Sequence, residues 1–350
     1  MKLLLVIPSL SLREQRGLAR LSRELIKGLQ AKIDDLELIE ARTGNFFTNY
    51  FKTVTTVPLK ELLNRADIIH AIAPELGAFL FLAKGRRTIV TFHDLIPLRT
   101  DLPPEIFRSE FRLPLKIYVN LMWRLAAKAD VIICNSTQTA IEVKRVLNRR
   151  DRIEIVNPGV DEKFKPMSVK KEMLTLGFLS PFSYRKGIDI ALEIFRILSK
   201  KIDCKLILAG GKVPLYYQNM LNIHKVIKES ARIEIYDYIP EDRLVELYNS
   251  FDFFLFPSRV EGFGMPILEA QKCGVPTLIM RNALIPQETR RMAIKFNSPE
   301  DAAAKILYLM DNKEEYKRIS EKGRRYASLF TWQKFVNCLL YTSPSPRDRG

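Results

Sequence analysis

Short, uninterrupted runs of apolar residues alternate with longer amphipathic stretches along the chain. The runs KLLLVIPSL (2–10), ADIIHAI (66–72) and ADVIICNS (129–136) lack polar alternation, which is typical of parallel strands buried on both faces. The stretches ARLSRELIKGLQ (19–30) and TQTAIEVKRVL (137–147) repeat apolar positions at helical spacing. Strands that alternate with helices predict an α/β fold with parallel sheets.

The same alternation starts again in the second half of the chain. Apolar runs occur at EMLTLGFLS (172–180), CKLILAGG (204–211) and FDFFLFPS (251–258), with helical stretches between them. No low-complexity linker separates the halves. The sequence therefore predicts two doubly wound, Rossmann-like domains facing across a cleft. We place them at residues 1–165 and 166–337.

The last thirteen residues are set apart from this prediction. Residues 338–350, CLLYTSPSPRDRG, match the translation of a transposase adapter used in sequencing libraries, so we interpret them as not native. The preceding TWQKFVN (331–337) then resembles the start of a final helix that is cut short.

Composition and charge limit the classes of protein to which the chain can belong. Apolar residues make up 47% of the 350 residues, and the formal net charge is +16. No apolar run reaches the ~18 residues of a membrane span. The amino-terminal run reads as a first strand rather than a signal peptide, and we expect a cytoplasmic protein. Basic residues are spread without an aromatic-interleaved or zinc-finger motif, so we expect no nucleic-acid partner but a phosphorylated ligand.

Ligands of such sheets bind at the carboxyl ends of the strands, and one loop there carries two carboxylates. In SRVEGFGMPILEA (258–270), Glu261 and Glu269 flank a Gly-Phe-Gly turn that opens a helix. Free backbone N–H groups at a helix start favour oxygen-rich ligands. Carboxylates accept strong hydrogen bonds from hydroxyl groups. The pattern predicts a site for a polyhydroxylated ligand, although dipole compensation by Glu269 explains it equally well.

Two further loops carry candidate side chains. Arg185 and Lys186 open a helix after a strand, where cations oppose the helix dipole. A bound diphosphate would justify that cost, whereas a solvated charge pair is the alternative. His93 ends the strand TIVTF, and it fits either a satisfied core histidine or a ligand contact.

In combination, these motifs resemble one family. EGFGMPILEA (261–270) is similar to the glutamate–seven–glutamate motif of retaining glycosyltransferases with the GT-B fold, in glycosyltransferase family 4 (group 1). VTFHDLIPL, VIICNSTQTA, IVNPGVDEKFKP, FSYRKGIDI and LILAGG follow in the family's order. The resemblance covers essentially residues 1–336.

The resemblance implies a nucleotide-diphosphate sugar as donor and no other cofactor. Its implied roles fall on two groups of residues. The catalytic residues are His93, Arg185, Lys186 and Glu261, and the nucleotide-sugar-binding residues are Gly17, Phe263, Gly264, Met265 and Glu269. Arg185 and Lys186 would hold the leaving diphosphate, and His93 would lie over the sugar. Transfer would retain configuration onto a glycan, lipid-linked or small-molecule acceptor.

The chain departs from the family's pattern in two loops and at its end. TWQKFVN (331–337) is similar to the start of the family's final helix, which crosses back onto the first domain, and the rest of that helix is expected to be missing. Phe178 follows the strand glycine where many members carry arginine, and the first loop has a single glycine, Gly17. A degenerate, non-catalytic nucleotide-binding protein and a sugar-nucleotide isomerase of the same architecture therefore remain alternatives. A dinucleotide oxidoreductase would need Gly-x-Gly-x-x-Gly after the first strand, and residues 9–20 lack it.

The sequence also bears on whether the reaction needs a metal ion and whether the protein contacts a membrane. The chain contains no Asp-x-Asp pair of the kind that metal-dependent transferases use, so we expect a metal-independent reaction. The stretch KIYVNLMWRLAAK (116–128) and the basic excess would permit peripheral contact with an anionic membrane. A helix that packs on the first sheet is the alternative.

Overall fold

The computed structural model of the chain describes residues 2–8, 16–41, 66–78, 80, 83, 87–108, 113–211 and 232–342. Its backbone divides into two compact units. The first comprises Met1–Thr100, Phe111–Gly159 and Thr331–Gly350, and the second comprises Asp101–Glu110 and Val160–Phe330. The predicted helix at 217–230 lies outside the described residues.

The first unit is built on a parallel sheet. Its described strands are β1 (Lys2–Pro8), β2 (Asp35–Ala41), β3 (Ile68–Ala71), β4 (Arg87–Phe92), β5 (Val131–Cys134) and β6 (Ile153–Ile155). Their order across the sheet is β2-β1-β3-β4-β5-β6. The described helices before Gly159 are α1 (Arg16–Gln30), α2 (Pro74–Gly77), α3 (Pro104–Arg108), which groups with the second unit, α4 (Leu113–Ala126) and α5 (Thr137–Val146).

The second unit repeats this plan. Its described strands are β7 (Leu174–Leu179), β8 (Cys204–Ala209), β9 (Ile233–Tyr236), β10 (Phe253–Leu255), β11 (Thr277–Met280) and β12 (Ile294–Phe296). They pair in parallel in the order β12-β11-β10-β7-β8-β9. The described helices are α6 (Ile188–Leu198), α7 (Leu244–Ser250), α8 (Met265–Lys272), α9 (Gln287–Arg290), α10 (Pro299–Asp311) and α11 (Lys313–Ala327).

The apolar runs form the centres of both sheets, as predicted. Leu4 and Leu5 of β1 are fully buried, and Leu206 and Leu208 of β8 are buried equally. Helices cover both faces of such a sheet, so its central strands carry no polar face. Two described parallel sheets with interspersed helices confirm the predicted α/β class.

The chain's final helix belongs to the first unit, in line with its similarity to the family's crossover helix, whereas the predicted second domain extends to residue 337. Helix α12 (Trp332–Thr342) buries Phe335, Val336 and Leu339 in the first unit's core. Val336 packs against Gly28, where an added Cβ would come within 2.4 Å of its Cγ2. Residues 331–337 therefore do not belong to the second domain. The helix also continues through 338–342, the first residues of the segment that we interpreted as not native.

No described helix is long and apolar enough to cross a membrane.

Replacing Gln271 by Met is expected to stabilise the second unit. Gln271 is 2% exposed, and neither its amide oxygen nor its amide nitrogen has a hydrogen-bond partner. An unsatisfied buried polar group costs about 1–3 kcal/mol, and methionine fills a similar volume without that cost. Urea unfolding should show a higher midpoint for Gln271→Met. The exposed Gln287 provides a control, since Gln287→Met should leave the midpoint unchanged.

Candidate active site

The candidate site of the second unit begins where β7 and β10 end. β7 pairs with β8 on one side and with β10 on the other. The strand order reverses there, and ligands of open α/β sheets bind at such a reversal. The loops that follow these two strands contain the predicted residues Arg185, Lys186 and Glu261.

Those two loops are joined through the backbone. The Arg259 N–H donates to the Arg185 carbonyl at 2.8 Å. Gly187 has φ of +72°, and a Cβ there would lie 2.1 Å from the Pro257 carbonyl oxygen. Only glycine allows that left-handed turn to touch the neighbouring loop. The close approach fixes the start of α6 against the end of β10.

The predicted charges meet at this junction. Lys186 Nζ lies 2.6 Å from Glu261 Oε1, and Arg185 Nη1 lies 3.9 Å from Glu261 Oε2. All three side chains are at most 16% exposed. Burial raises the pKa of Glu261, but the positive charges of Lys186 and then Arg185 outweigh it, so the pKa falls below its usual value. Glu261 is therefore ionised at neutral pH, and the cluster carries a net positive charge.

The Gly-Phe-Gly turn presents backbone rather than side chains. Gly264 has φ of +93° and directly precedes α8. The Phe263 side chain is 5% exposed, and its ring packs edge-on against Phe330 at a centroid distance of 6.2 Å. The hydroxyl of Thr289 donates to the Phe263 carbonyl at 2.6 Å and holds the turn. In the first turn of α8, the Ile267 N–H donates to the Gly264 carbonyl at 3.0 Å, whereas the Met265 N–H has no intrahelical acceptor.

Glu269 lies one turn inside α8 and is 4% exposed. Its Oε2 accepts a hydrogen bond from the Tyr248 hydroxyl at 2.8 Å. Tyr248 is fully buried, with its ring edge-on to Phe254 at 5.5 Å. The bond fixes the orientation of the carboxylate. No local sequence signal marks Tyr248, because it comes from a different helix, 21 residues earlier.

His93 and Gly17 belong to the first unit. The His93 Nε2–H donates to the Ile72 carbonyl at 2.7 Å. Burial lowers the pKa of His93, and the bond to Ile72 opposes this only in part. The imidazole is thus neutral at physiological pH. Gly17 is exposed in the first turn of α1, and a Cβ there would meet no described atom within 4 Å. Their roles toward a ligand stay predictions.

Phe178 occupies a core position. It lies in β7, is 1% exposed and packs near Phe182 at a centroid distance of 6.2 Å. A side chain at this point of the strand faces the apolar layer beneath α6. Phe178 therefore supplies no positive charge at the position where many family members carry arginine.

Glu75 is a titrating group that the sequence did not predict. Burial, with a further contribution from the charge of Asp94, raises its pKa from 4.5 to about 7. In the unfolded chain Glu75 loses its proton near its ordinary pKa of 4.5. The free energy of unfolding therefore declines as the pH rises from 4.5 to about 7. Glu75→Gln should therefore stabilise the protein by about 3 kcal/mol near pH 8 and by nothing near pH 4. Urea unfolding at both pH values measures this, with the exposed Glu105→Gln as control. Equal effects at both pH values would contradict the assignment.

Solved structures show the same fold over nearly the whole chain. Sucrose-phosphate synthase from Thermosynechococcus elongatus superposes with a TM-score of 0.79 at 16% identity, covering 98% of this chain and 99% of that chain. Anabaena HepE in complex with UDP-glucose gives a TM-score of 0.72 at 16% identity, with coverages of 98% and 99%. The fold is GT-B, the two-sheet architecture of a large class of glycosyltransferases.

Family profiles match both halves of the chain. The profile described as Glycosyltransferase Family 4 matches residues 16–164, and that of Glycosyl transferases group 1 matches residues 160–326. The chain belongs to the GT-B glycosyltransferases of family 4 type. The predicted resemblance is thereby confirmed.

Individual curated relatives match the chain only in part. An uncharacterised glycosyltransferase of Methanocaldococcus jannaschii is 28% identical over 59% of this chain and 57% of its own length. Mannosylfructose-phosphate synthase of Agrobacterium fabrum is 24% identical over 69% of this chain and 59% of its own length. The chain therefore spans less than two thirds of the length of these curated relatives.

Proposed function

We propose that the protein is a retaining glycosyltransferase that moves a sugar from a nucleotide-diphosphate donor to an acceptor. The observation that carries this proposal is the Arg185–Lys186–Glu261 cluster at the β7/β10 reversal. Two cations that are mostly buried beside one carboxylate leave a positive charge for an anionic ligand. A diphosphate fits that charge and that position.

The same cations would drive the reaction. As the glycosidic bond breaks, the sugar becomes oxocarbenium-like and negative charge develops on the leaving diphosphate. Preorganised cations stabilise such charge most when water is excluded. We propose that Arg185 and Lys186 supply this stabilisation without a metal ion. The leaving oxygen accepts the acceptor's proton on the same face of the sugar, which retains configuration.

The nucleoside would bind along α8. Glu269, whose carboxylate is held by Tyr248, would accept hydrogen bonds from the ribose hydroxyls, and N–H groups of the 263–265 turn would bind the phosphates. The Anabaena protein of the same fold holds UDP-glucose, which supports a nucleotide-sugar donor. We further propose that His93 and Gly17 act in the first unit, with Gly17 near a donor phosphate.

The acceptor side rests on the relatives. The Agrobacterium fabrum relative is named as a mannosylfructose-phosphate synthase, and the Escherichia coli relative WbdA is named as a serotype-specific mannosyltransferase. A glycan or lipid-linked acceptor is therefore proposed for this chain.

A peripheral, cytoplasmic membrane contact is proposed from the exposed side of α4. Val119 and Trp123 pack in the core, whereas Ile117 and Leu121 are 66% and 56% exposed. Arg124 and Lys128 flank them. An exposed aliphatic pair beside cations suits an anionic lipid surface.

Vesicle binding tests this surface. The double variant Ile117→Ser/Leu121→Ser should sediment less than the wild type with vesicles containing anionic phosphatidylglycerol. Vesicles of neutral phosphatidylcholine should bind neither the double variant nor the wild type. Leu329, which is 57% exposed in the second unit, provides a control in Leu329→Ser. Equal sedimentation of all three proteins would contradict the contact.

Donor turnover tests the catalytic proposal. The protein would be incubated with UDP-, GDP- and ADP-sugars, and release of nucleoside diphosphate would be followed with and without EDTA. Proton NMR of the first sugar product should show the donor's anomeric configuration. Inverted product would refute retention, and loss of turnover in EDTA would refute metal independence. Binding without any turnover would favour the non-catalytic alternative, and an epimerised nucleotide sugar would favour the isomerase.

A further inference from the structure

Arg259 links the two loops of the candidate site by its side chain. Its guanidinium makes a bidentate pair with Asp189, at 3.0 and 2.7 Å. The same group lies 3.6 Å above the centroid of the Tyr184 ring and donates to the Tyr184 carbonyl. A planar guanidinium can stack and form a two-pronged ion pair at the same time, which lysine cannot do. One side chain therefore holds Tyr184, directly before Arg185, and Asp189, two residues after Gly187.

These contacts surround the residues that would bind the diphosphate. Tyr184 and Asp189 lie on either side of the segment 185–187. With both ends held by Arg259, the segment has little freedom to turn Lys186 away from Glu261. Stabilisation of a leaving diphosphate depends on such fixed geometry, because charged groups that must reorient during the reaction stabilise it less.

Arg259 also compensates the negative charge of Asp189 near the cluster. Asp189 lies in the first turn of α6, three residues after Lys186 in the sequence. The bidentate pair neutralises Asp189 locally. Arg259 therefore compensates the Asp189 charge beside the segment that carries Arg185 and Lys186.

We propose that Arg259 is a positioning residue, which orients Arg185 and Lys186 toward the leaving diphosphate through Tyr184 and Asp189. This inference rests on the proposed donor site. It assigns to Arg259 no contact with the substrate itself.

The test compares Arg259→Ala and Arg259→Lys with Arg196→Ala. Arg196 lies on α6, the helix that carries Asp189, and makes a bidentate pair with Glu193 at 2.8 and 2.5 Å, but this pair is exposed. Hydrogen exchange followed by mass spectrometry would report on segments 183–187 and 257–261 without any ligand. Steady-state turnover of the nucleotide sugar would report on catalysis, and added guanidinium ion would test chemical rescue.

We expect Arg259→Ala to accelerate exchange in both segments and to lower kcat/KM by ~10²-fold, as misplacement by about 1 Å does elsewhere. Millimolar guanidinium should restore part of the rate to Arg259→Ala and none to Arg196→Ala. Arg259→Lys should fall between wild type and Arg259→Ala.

Unchanged exchange in 183–187, or an Arg259→Ala protein with wild-type kcat/KM, would overturn the inference. Should Arg259→Ala fail to fold, Arg259→Lys decides by the same two readouts. A wild-type protein that turns over no nucleotide sugar would refute the proposed function instead, and the exchange comparison would still decide whether Arg259 orders the loops.

Discussion

Replacing Lys186 by Ala is expected to lower kcat/KM for the nucleotide-sugar donor by about 10²–10³-fold, the range seen when one preorganised donor to a developing charge is lost. The ammonium group lies 2.6 Å from Glu261. Its removal takes away a diphosphate contact and leaves the Glu261 carboxylate to repel the phosphates. Steady-state release of nucleoside diphosphate measures the change.

A lysine in a similar ion pair elsewhere provides the control. Lys305 Nζ lies 2.7 Å from Asp301 on α10, where its side chain is 33% exposed. Lys305→Ala should keep wild-type kcat/KM. A Lys186→Ala enzyme within threefold of wild type would remove Lys186 from the proposed chemistry.

Replacing Glu269 by Gln is expected to weaken nucleoside diphosphate binding by about 10–100-fold, since hydrogen bonds to a charged group contribute about 1.5–3 kcal/mol. Glutamine keeps an oxygen for the Tyr248 hydroxyl but loses the charge that would attract the ribose hydroxyls. The dissociation constant can be measured by isothermal titration calorimetry.

Tyr248→Phe separates the ligand role of Glu269 from its packing role. This variant removes the 2.8 Å hydrogen bond but leaves the carboxylate charged. It should lower stability and weaken binding less than Glu269→Gln does. Equal affinities for wild type and Glu269→Gln would refute the ribose role.

Long apolar runs made most of the fold predictable. β1 and β8 are buried over nearly their whole length, so their composition alone marks them as central strands. β2 and β12 were not predicted. DLELIEA carries acids through the strand, and IKF is three residues long. Both lie at sheet edges, where one side of a strand has no neighbour and polar residues are tolerated.

The boundary between units could not be predicted from composition. The unit changes at Gly159 and returns at Thr331, and neither point has a linker of distinctive sequence. The return depends on Val336 finding a space beside Gly28, a contact that spans most of the chain.

The candidate site was predictable by residue type but not by pairing. Cations at a helix start and carboxylates around a glycine turn mark Lys186 and Glu261 separately. Their contact joins positions 75 residues apart, and it follows from the adjacency of β7 and β10. Arg259 was missed for the same reason, since its partners are Tyr184 in the other loop and Asp189 in the helix that follows it.

Titration of the wild-type protein and Lys186→Ala with UDP, GDP and ADP, each without and with Mg²⁺, tests the donor site most directly. Calorimetry would give the dissociation constants. We predict that one nucleoside diphosphate binds the wild type without Mg²⁺ and binds Lys186→Ala at least tenfold more weakly. Wild-type protein that binds none of the three, or that binds one of them as tightly after Lys186→Ala, would contradict a diphosphate site at the β7/β10 reversal.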